Sequence, residues 1–269
     1  MAECGYLMES EEEAIRLDVK TDGRAVERQA RWAGLKPEMR VADLGCGSGK
    51  TTFHLHKLVQ PGGSALGVDI AGQRIDYARQ HYRAEGLEFT VRDIREPLGD
   101  LGPFDFVWIR FVLEYYLAQS AEMVRNAARA LAPGGTLCLA DLDCNCLRSC
   151  GFPPRLERAV NGIMAGLEER RNFDPYVGVK LYSFLYDMGF EDLRVKVIPH
   201  NLIYGTFKKN EKFNWIKKAE IAGRLSGLAF DEYPGGFDEF FTEAQRCLSD
   251  PRVFTYTPLV ICCGRNPSR

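Results

Sequence analysis

The middle of the chain alternates short apolar runs with stretches in which apolar residues return at the spacing of one helical face. The apolar runs predict five strands, at residues 41–44, 64–70, 87–91, 104–109 and 136–142. The amphipathic stretches predict helices at residues 50–59, 73–85 and 120–131. Because the fourth run is almost entirely apolar, it is expected to be a central parallel strand covered on both faces. Ser120 is expected to cap the third helix, and a Pro-Gly-Gly sequence from Pro133 to end it.

The two ends of the chain depart from this alternation. Residues 9–34 carry acids first and apolar positions later, which predicts one or two helices with favourable charges at the start. Residues 153–190 have helical periodicity, whereas residues 193–198 and 253–262 predict two last strands. Between those strands, residues 205–250 are predicted to form a long helical insertion.

Three glycines at alternate positions follow the first predicted strand. They are Gly45, Gly47 and Gly49, and the first predicted helix begins directly after them. Glycine has no Cβ and tolerates positive φ, so such a loop lets the backbone approach a ligand closely. The helix that follows presents free N–H groups at its start. The unit therefore predicts a ligand site.

Three interpretations of this loop compete. A dinucleotide fingerprint, Gly-x-Gly-x-x-Gly, would need a glycine at Lys50. A phosphate-binding P-loop would need a glycine at Leu44, although Gly49, Lys50 and Thr51 fit its second half. A carboxylate at the loop mouth, Asp43, would repel a phosphate and favour a ligand with positive charge. S-adenosylmethionine, with its ammonium and sulfonium groups, is such a ligand.

The sequence Asp-x-Gly-x-Gly-x-Gly that begins at Asp43 resembles the first motif of class I S-adenosylmethionine-dependent methyltransferases. Further landmarks of that family follow in order over residues 37–143. The resemblance implies an α/β fold with a doubly wound, Rossmann-like, mostly parallel sheet of seven strands that ends in a hairpin. It also implies one domain over residues 1–269, divided into an N-terminal helical cap (1–36), a cofactor-binding core (37–143) and substrate-side helices with a lid and the hairpin (144–269).

The resemblance assigns the first cofactor contacts to the glycine loop, namely Asp43, Gly45, Cys46 and Gly47. Asp69 closes the second predicted strand twenty residues beyond Gly49. A carboxylate at this place can accept two hydrogen bonds from a ribose diol, although a plain turn aspartate is the alternative. Ile70 follows it and is expected beside the cofactor.

Later landmarks of the resemblance add further cofactor contacts. In the family, an Asp after the third strand accepts from the adenine amine and the next apolar residue covers the ring, positions that Asp93 and Ile94 match. The end of the fourth strand holds the methionine part, which assigns Arg110 and Phe111. The local pattern around Tyr6 and Arg16 resembles a subgroup in which a Tyr and an Arg approach the methionine end, with a solvated amphipathic helix as the alternative.

The residues after the fourth strand would face the methyl acceptor. Glu114, Tyr115 and Tyr116 are candidates for that side, although a Tyr pair at this place also suits plain packing. Many relatives with base-assisted transfer carry a His there, and this chain has none. Tyr115, Tyr116, His200 and Tyr204 are therefore the candidates for a general base, and the catalytic residue stays open.

Composition limits the partners. The formal net charge of the 269 residues is −2, so no general field attracts nucleic acid. The N-terminus lacks a basic region followed by an apolar one, and no apolar run of 18 residues occurs, so we expect a cytoplasmic protein without a membrane association. A small-molecule substrate is expected, with the chain as a monomer or a homodimer.

Metal binding is not expected. Cys144, Cys146 and Cys150 have a spacing that could supply thiolates, but no histidine lies near them in sequence, and free thiols are the preferred interpretation. His54 and His56 would point in opposite directions on a helix and could not share a metal.

Two other classes of function stay open. Residues 208–218 combine five lysines with two aromatic residues and could contact RNA or a membrane surface, although a charged lid helix with an apolar inner face is the preferred interpretation. The alternatives to a small-molecule methyltransferase are thus an RNA or protein methyltransferase, or a binding module for S-adenosylmethionine without catalysis. In the preferred function the methyl group moves by in-line attack, and S-adenosylhomocysteine is the product.

Overall fold

The computed structural model describes residues 13–145, 147–205 and 209–267. Its centre is one mixed sheet whose parallel strands are β1 (Arg40–Leu44), β2 (Ser64–Asp69), β3 (Leu87–Val91), β4 (Phe104–Arg110) and β5 (Leu131–Leu142). Three more strands, β6 (Ser149–Cys150), β7 (Glu191–Ile203) and β8 (Phe254–Arg265), form antiparallel pairs. The order is β3-β2-β1-β4-β5-β8, with β6 and β7 both paired to β8.

This order confirms the predicted doubly wound sheet with a closing hairpin. The described residues contain eight strands rather than the expected seven. The additional one is β6, which has two residues and pairs with the first two residues of β8. Such a short pairing leaves no hydrophobic pattern in a sequence, because a pattern of period two needs several residues to be recognised.

Nine helices surround the sheet in the described part of the chain. They are α1 (Glu13–Lys20), α2 (Gly23–Ala33), α3 (Lys50–Val59), α4 (Gly72–His81), α5 (Ser120–Arg129), α6 (Pro154–Arg171), α7 (Val177–Asp187), α8 (Lys209–Leu225) and α9 (Gly236–Cys247). A single 3₁₀ turn (Leu113–Tyr115) follows β4. The last two helices form the predicted insertion between β7 and β8.

Two predicted helices are shorter than expected. Helix α4 ends at His81 because Tyr82 adopts an extended conformation, and α5 ends at Arg129, so that Leu131 already belongs to β5. The expected cap at Ser120 is wrong. Gln119 occupies the capping position, no side chain caps the helix, and Ser120 is its buried first residue.

Strand β4 is covered on both faces, as predicted. Phe106 and Trp108 pack in the cluster that faces α2 and α3, whereas Val107 and Ile109 pack in the cluster on the opposite face. Full burial of such a side chain stabilises the fold by about 1.5–3 kcal/mol. The strand is thereby fixed on both sides, and its carboxyl end is a rigid platform for the residues that follow.

The helical insertion shares an apolar cluster with α6. Helices α6 and α9 contribute most of it, and aromatic rings are prominent, with 4.8 Å between the ring centroids of Phe230 and Phe240. These helices lie beside the carboxyl ends of the parallel strands and cover a cavity there. Within the described ranges, none of the helices has both the length and the apolar character needed to cross a membrane.

Candidate functional site

Two adjoining cavities lie at the carboxyl ends of the parallel strands. The smaller one, of about 120 Å³, is enclosed by the loops that follow β1, β2, β3 and β4. The larger one, of about 380 Å³, lies between the sheet and helices α1, α6, α8 and α9. The described residues that line both cavities are Leu17, Thr21, Arg110, Phe111 and Tyr115. A molecule in one cavity would therefore lie next to a molecule in the other.

The glycine loop forms the floor of the smaller cavity. Gly45, Gly47 and Gly49 all have positive φ angles, of 82°, 54° and 85°. The N–H groups of Gly45 and Cys46 donate to the carbonyl of Val68 at 2.7 and 2.9 Å, which holds the loop against β2. A Cβ at Gly45 would lie 2.3 Å from Val112 Cγ2, so only glycine fits this close approach.

Asp69 ties the glycine loop to the end of β2 and lines the smaller cavity. One carboxylate oxygen accepts from the N–H of Gly47 at 2.9 Å, and the other accepts from the N–H of Ala71 at 3.0 Å. Arg74 forms an ion pair with the second oxygen at 3.0 Å. The carboxylate is buried but borders the cavity, where the sequence predicted a ribose contact.

Asp43 does not stand at the mouth of the loop, and the structure corrects that expectation. Its side chain is 2% exposed, and Oδ2 accepts from the Thr52 hydroxyl at 2.7 Å beneath α3. It is absent from the described lining of both cavities. Burial raises the pKa of Asp43 to about 7, against the effects of Thr52 and Arg110. A strand alternates its side chains between two faces, and this one faces inward.

The buried state of Asp43 makes a testable prediction for stability. Its folded pKa of about 7 lies above the unfolded value of about 3.9. The folded state thus retains a proton that the unfolded state releases, and the stability this gives at low pH is lost as the pH rises towards 7. Between pH 5 and pH 8, the free energy of unfolding of Asp43→Asn should therefore rise by about 2–3 kcal/mol relative to that of the wild type.

Urea unfolding at both pH values measures this gain. Asp76→Asn is the control, because the Asp76 side chain is 68% exposed and removal of its charge should leave the profile unchanged. A constant difference between Asp43→Asn and the wild type would contradict the burial of a protonated carboxyl.

The smaller cavity also contains the predicted adenine-contacting acid and its apolar neighbour. Asp93 and Ile94 both line it, as does Ile70 from the end of β2. Asp93 accepts a hydrogen bond from Arg95 Nη2 at 2.6 Å. Burial acts to raise the pKa of Asp93, but the hydrogen bonds with Arg95 outweigh burial and lower this pKa. Cys46 also lines the cavity, where burial raises the pKa of its thiol well above the usual value.

Arg110 and Phe111 separate the two cavities at the end of β4. The Arg110 Nε is buried and has no hydrogen-bond partner among the described residues. Burial lowers the pKa of Arg110 to about 10, so the guanidinium stays charged. Phe111 has a φ of 58°, which is rare for a bulky residue. Such backbone strain costs about 1–3 kcal/mol and is typical of functional sites.

Buried Asp141 stabilises this strained turn. Its Oδ2 accepts from the N–H groups of Leu113 at 2.8 Å and Val112 at 3.1 Å, while Phe111 N–H donates to the carbonyl of Ala140 at 2.9 Å. Asp141 lies near the end of β5, and no sequence motif assigns it a role. Because it fixes the turn, Asp141 positions the residues that line both cavities.

Helix α1 covers the junction of the cavities. Asp18 holds it in place, since the Lys50 ammonium donates to the Asp18 carbonyl at 2.7 Å and the Tyr82 hydroxyl donates to the Asp18 carboxylate. Arg16 was expected at the cofactor, but it lines the larger cavity and forms an ion pair with Glu13 at 2.6 Å. Tyr6 lies outside the described residues.

The four candidates for a general base occupy different places. Tyr115 lines both cavities, Tyr116 lines the smaller one and His200 the larger one. Burial lowers the pKa of His200 well below its usual value, so its imidazole is neutral. Tyr204 is 68% exposed and absent from the described lining of either cavity, which corrects its candidacy. It follows the end of β7 and faces solvent.

Sequence reasoning found some polar residues of the larger cavity and missed others. Glu114, noted as an acceptor-side candidate, is 3% exposed and its Oε2 accepts from Asn145 Nδ2 at 2.7 Å. Lys20 and Asn201 line the same cavity but had no motif around them, and Lys218 lay within a lysine-rich stretch without any sign of which lysine faces inward. These residues come together only in the tertiary fold, and no local sequence pattern predicts that they do.

The cysteine and histidine candidates remain apart from this site. The His54 ring contacts the Glu27 carboxylate at 2.9 Å, and the His56 ring contacts the Glu85 carbonyl at 2.9 Å. The Cys144 thiol donates to Asp143, and Cys146 is outside the described residues. The described ranges contain no group of three His, Cys, Asp or Glu side chains arranged to hold a metal ion.

Comparisons with known proteins agree with this geometry. A family model described as a methyltransferase domain matches residues 35–169, half of the 269-residue chain. The chain is 33% identical over 108 residues to a ubiquinone biosynthesis O-methyltransferase of Caulobacter sp. (strain K31), covering 39% of this chain and 41% of that protein. It is 32% identical over 109 residues to the methyltransferase GfsG of Streptomyces halstedii, covering 38% and 37%. The match thus spans about two-fifths of these relatives.

Solved structures share the fold over most of the chain. A Bacillus halodurans protein assigned as a methyltransferase has a TM-score of 0.59 and 18% identity, covering 91% of this chain and 99% of that one. The phosphoethanolamine N-methyltransferase 2 of Haemonchus contortus, solved with phosphomonomethylethanolamine and S-adenosylhomocysteine, has a TM-score of 0.59 and 13% identity, covering 96% and 58%. At these identities the likeness shows a common fold.

Proposed function

The chain belongs to the class I S-adenosylmethionine-dependent methyltransferase family, and we propose that it transfers the methyl group of S-adenosylmethionine to a small-molecule acceptor. The observation that carries this proposal is the pair of adjoining cavities with a common wall at Arg110, Phe111 and Tyr115. Transfer requires donor and acceptor to be held in line at about 3 Å, and two neighbouring cavities supply that arrangement.

The smaller cavity is the proposed cofactor site, and its residues fit the group. Gly45 and Gly47 line it without side chains, which leaves a backbone cradle, and Asp69 offers a carboxylate to a ribose diol. Asp93 and Ile94 would contact the adenine. The unpartnered Arg110 Nε could donate to the methionine carboxylate. When bound, the sulfonium supplies an activated methyl group, so the protein's main contribution is alignment.

The larger cavity is the proposed acceptor site. Its volume of about 380 Å³ lies within the range of small-molecule pockets, and apolar side chains of α6, α8 and α9 form much of its wall. We propose a single domain in which α1 and α2 form the N-terminal cap. Residues 37–143 would bind the cofactor, and the helices and hairpin after residue 144 would build the acceptor side.

A macromolecular acceptor is less well supported by the same cavity. Lys218 lines the larger cavity, whereas Lys217 next to it forms an ion pair with Glu220 at 3.2 Å. The described lysines of α8 are therefore divided between the interior and the surface, and they do not form a single basic face. An RNA acceptor would need such a face for its phosphates.

The test combines binding with label transfer. Calorimetry should detect S-adenosylmethionine binding to the full chain. Cofactor labelled in its methyl group should then be incubated with three pools, namely small-molecule extract, total RNA and total protein. We expect label in small molecules, with formation of S-adenosylhomocysteine. Label confined to RNA or protein would overturn the small-molecule acceptor, and binding without transfer to any pool would indicate a non-catalytic module.

A further inference from the structure

The larger cavity has an apolar end and a charged end. Leu156 and Ile163 of α6 and Phe240 of α9 line the apolar end and belong to the apolar cluster that these two helices share. The charged end adjoins the cofactor cavity through the common residues Arg110 and Phe111. A ligand that fills the cavity would therefore have two chemically different ends.

Basic groups surround Phe111 at the charged end. The Arg110 Cζ lies 4.1 Å and the Lys20 Nζ 5.6 Å from the centroid of the Phe111 ring. The His200 ring centroid lies 5.0 Å from the same ring. Burial, and then the positive charge of Lys218, lowers the pKa of Lys20 to about 7. The positive charges at this end of the cavity therefore repel one another, because they lie close together and away from solvent.

The charges that line this cavity do not balance within the described part of the chain. Besides Arg16, which pairs with Glu13 at 2.6 Å, four basic side chains line it, namely Lys20, Arg28, Arg110 and Lys218, together with two acids, Asp22 and Glu114. Asp22 accepts from the N–H group of Arg24 at 2.9 Å, where it caps α2. The whole chain carries a net charge of −2, so this excess of cations is local. A local excess of one sign favours a ligand of the opposite sign.

Buried hydrogen-bond donors without partners also favour a ligand with acceptor oxygens. Arg110 Nε, Asn201 Nδ2 and Trp215 Nε1 are buried donors on residues that line the cavity, and none has a partner among the described residues. His200 Nε2 is also without one, and Gln29 Oε1 is an acceptor in the same state. A buried donor without an acceptor costs about 1–3 kcal/mol. Apart from Arg110 Nε, which the cofactor carboxylate would take, a ligand with acceptor oxygens offers partners to Asn201 Nδ2 and Trp215 Nε1.

We propose that the acceptor is an elongated apolar molecule that ends in an anionic oxygen group, with the anion beside Lys20 and Lys218 and the apolar body along α6 and α9. This inference rests on the proposed function, because it treats the larger cavity as the acceptor site. A neutral apolar ligand would offer no counter-charge to Lys20 and Lys218, and a cationic ligand would be repelled.

The test uses three probes of equal chain length that differ only in the head group, namely decanoate, decanol and decylamine. Calorimetry at pH 6.0, below the pKa of about 7 of Lys20, with saturating S-adenosylhomocysteine should show decanoate binding at least tenfold tighter than the other two. Lys20→Met and Lys218→Met should each weaken decanoate at least fivefold and leave decanol within twofold. Lys217→Met is the matched control, because its side chain is 50% exposed and lies next to Lys218 on the same helix.

Three results would overturn the proposal. They are equal binding of decanol or decylamine, an equal loss for all three probes in both lysine variants, and no binding of any probe at millimolar concentration. S-adenosylmethionine affinity, measured on the same variants, separates this inference from the proposed function. If decanoate binds as expected but the cofactor does not bind, the proposed function fails while the anion site stands.

Discussion

Asp69→Ala is expected to weaken the binding of S-adenosylmethionine at least tenfold. The carboxylate borders the proposed cofactor cavity, where it would accept hydrogen bonds from a ribose diol, and it also accepts from the N–H of Gly47 at 2.9 Å. Loss of a charge-assisted hydrogen bond costs about 1.5–3 kcal/mol, which corresponds to tenfold or more in affinity. Calorimetry on the folded variant measures the change directly.

Two controls separate a ribose contact from an effect on the loop. Arg74→Met removes the ion-pair partner of Asp69 but keeps the carboxylate, so cofactor affinity should change less than threefold. The second control compares S-adenosylhomocysteine with its 2′-deoxy analogue. The wild type should prefer the hydroxylated ligand, and Asp69→Ala should lose that preference. If Asp69→Ala weakens the binding of both ligands equally, so that the preference remains, the carboxylate only stabilises the glycine loop and does not contact the ribose.

The cofactor half of the fold was predictable because its signals are local. The glycines that follow β1 need left-handed backbone angles, the nearly continuous apolar sequence of β4 needs cover on both faces, and α3 begins where the glycines end. Each signal lies within about ten residues of the element that it specifies, so it can be recognised without knowledge of the tertiary fold. Predicted and observed bounds therefore agree closely for α3 and β3.

The acceptor half was not predictable in the same way. Lys20 and Lys218 reach one cavity from helices near opposite ends of the chain. Asp43 has the expected place in its motif, but its side chain lies beneath α3 against Thr52. Sequence gives the order of residues along a strand, whereas the face that a polar side chain takes depends on which helix covers that strand. The residues that line this cavity could therefore be identified only from the packed structure.

Gly45→Ala is expected to destabilise the protein by about 2–5 kcal/mol and to weaken cofactor binding at least tenfold. A residue with a side chain pays about 1–2 kcal/mol for the left-handed backbone conformation, and Gly45 has a φ of 82°. The new Cβ would also lie 2.3 Å from Val112 Cγ2, and overpacking of this kind costs about 1–3 kcal/mol. Urea unfolding and calorimetry measure the two effects.

Gly72→Ala and a double variant give this prediction its controls. Gly72 begins α4 and has no neighbouring atom within 4 Å of an added Cβ, so the same change there should be neutral or stabilising by up to about 1 kcal/mol. Adding Val112→Ala to Gly45→Ala should recover the steric part of the loss but not the part that arises from the backbone angle. Equal stability of Gly45→Ala and Gly72→Ala would contradict the left-handed loop, and with it the cradle on which the proposed cofactor site depends.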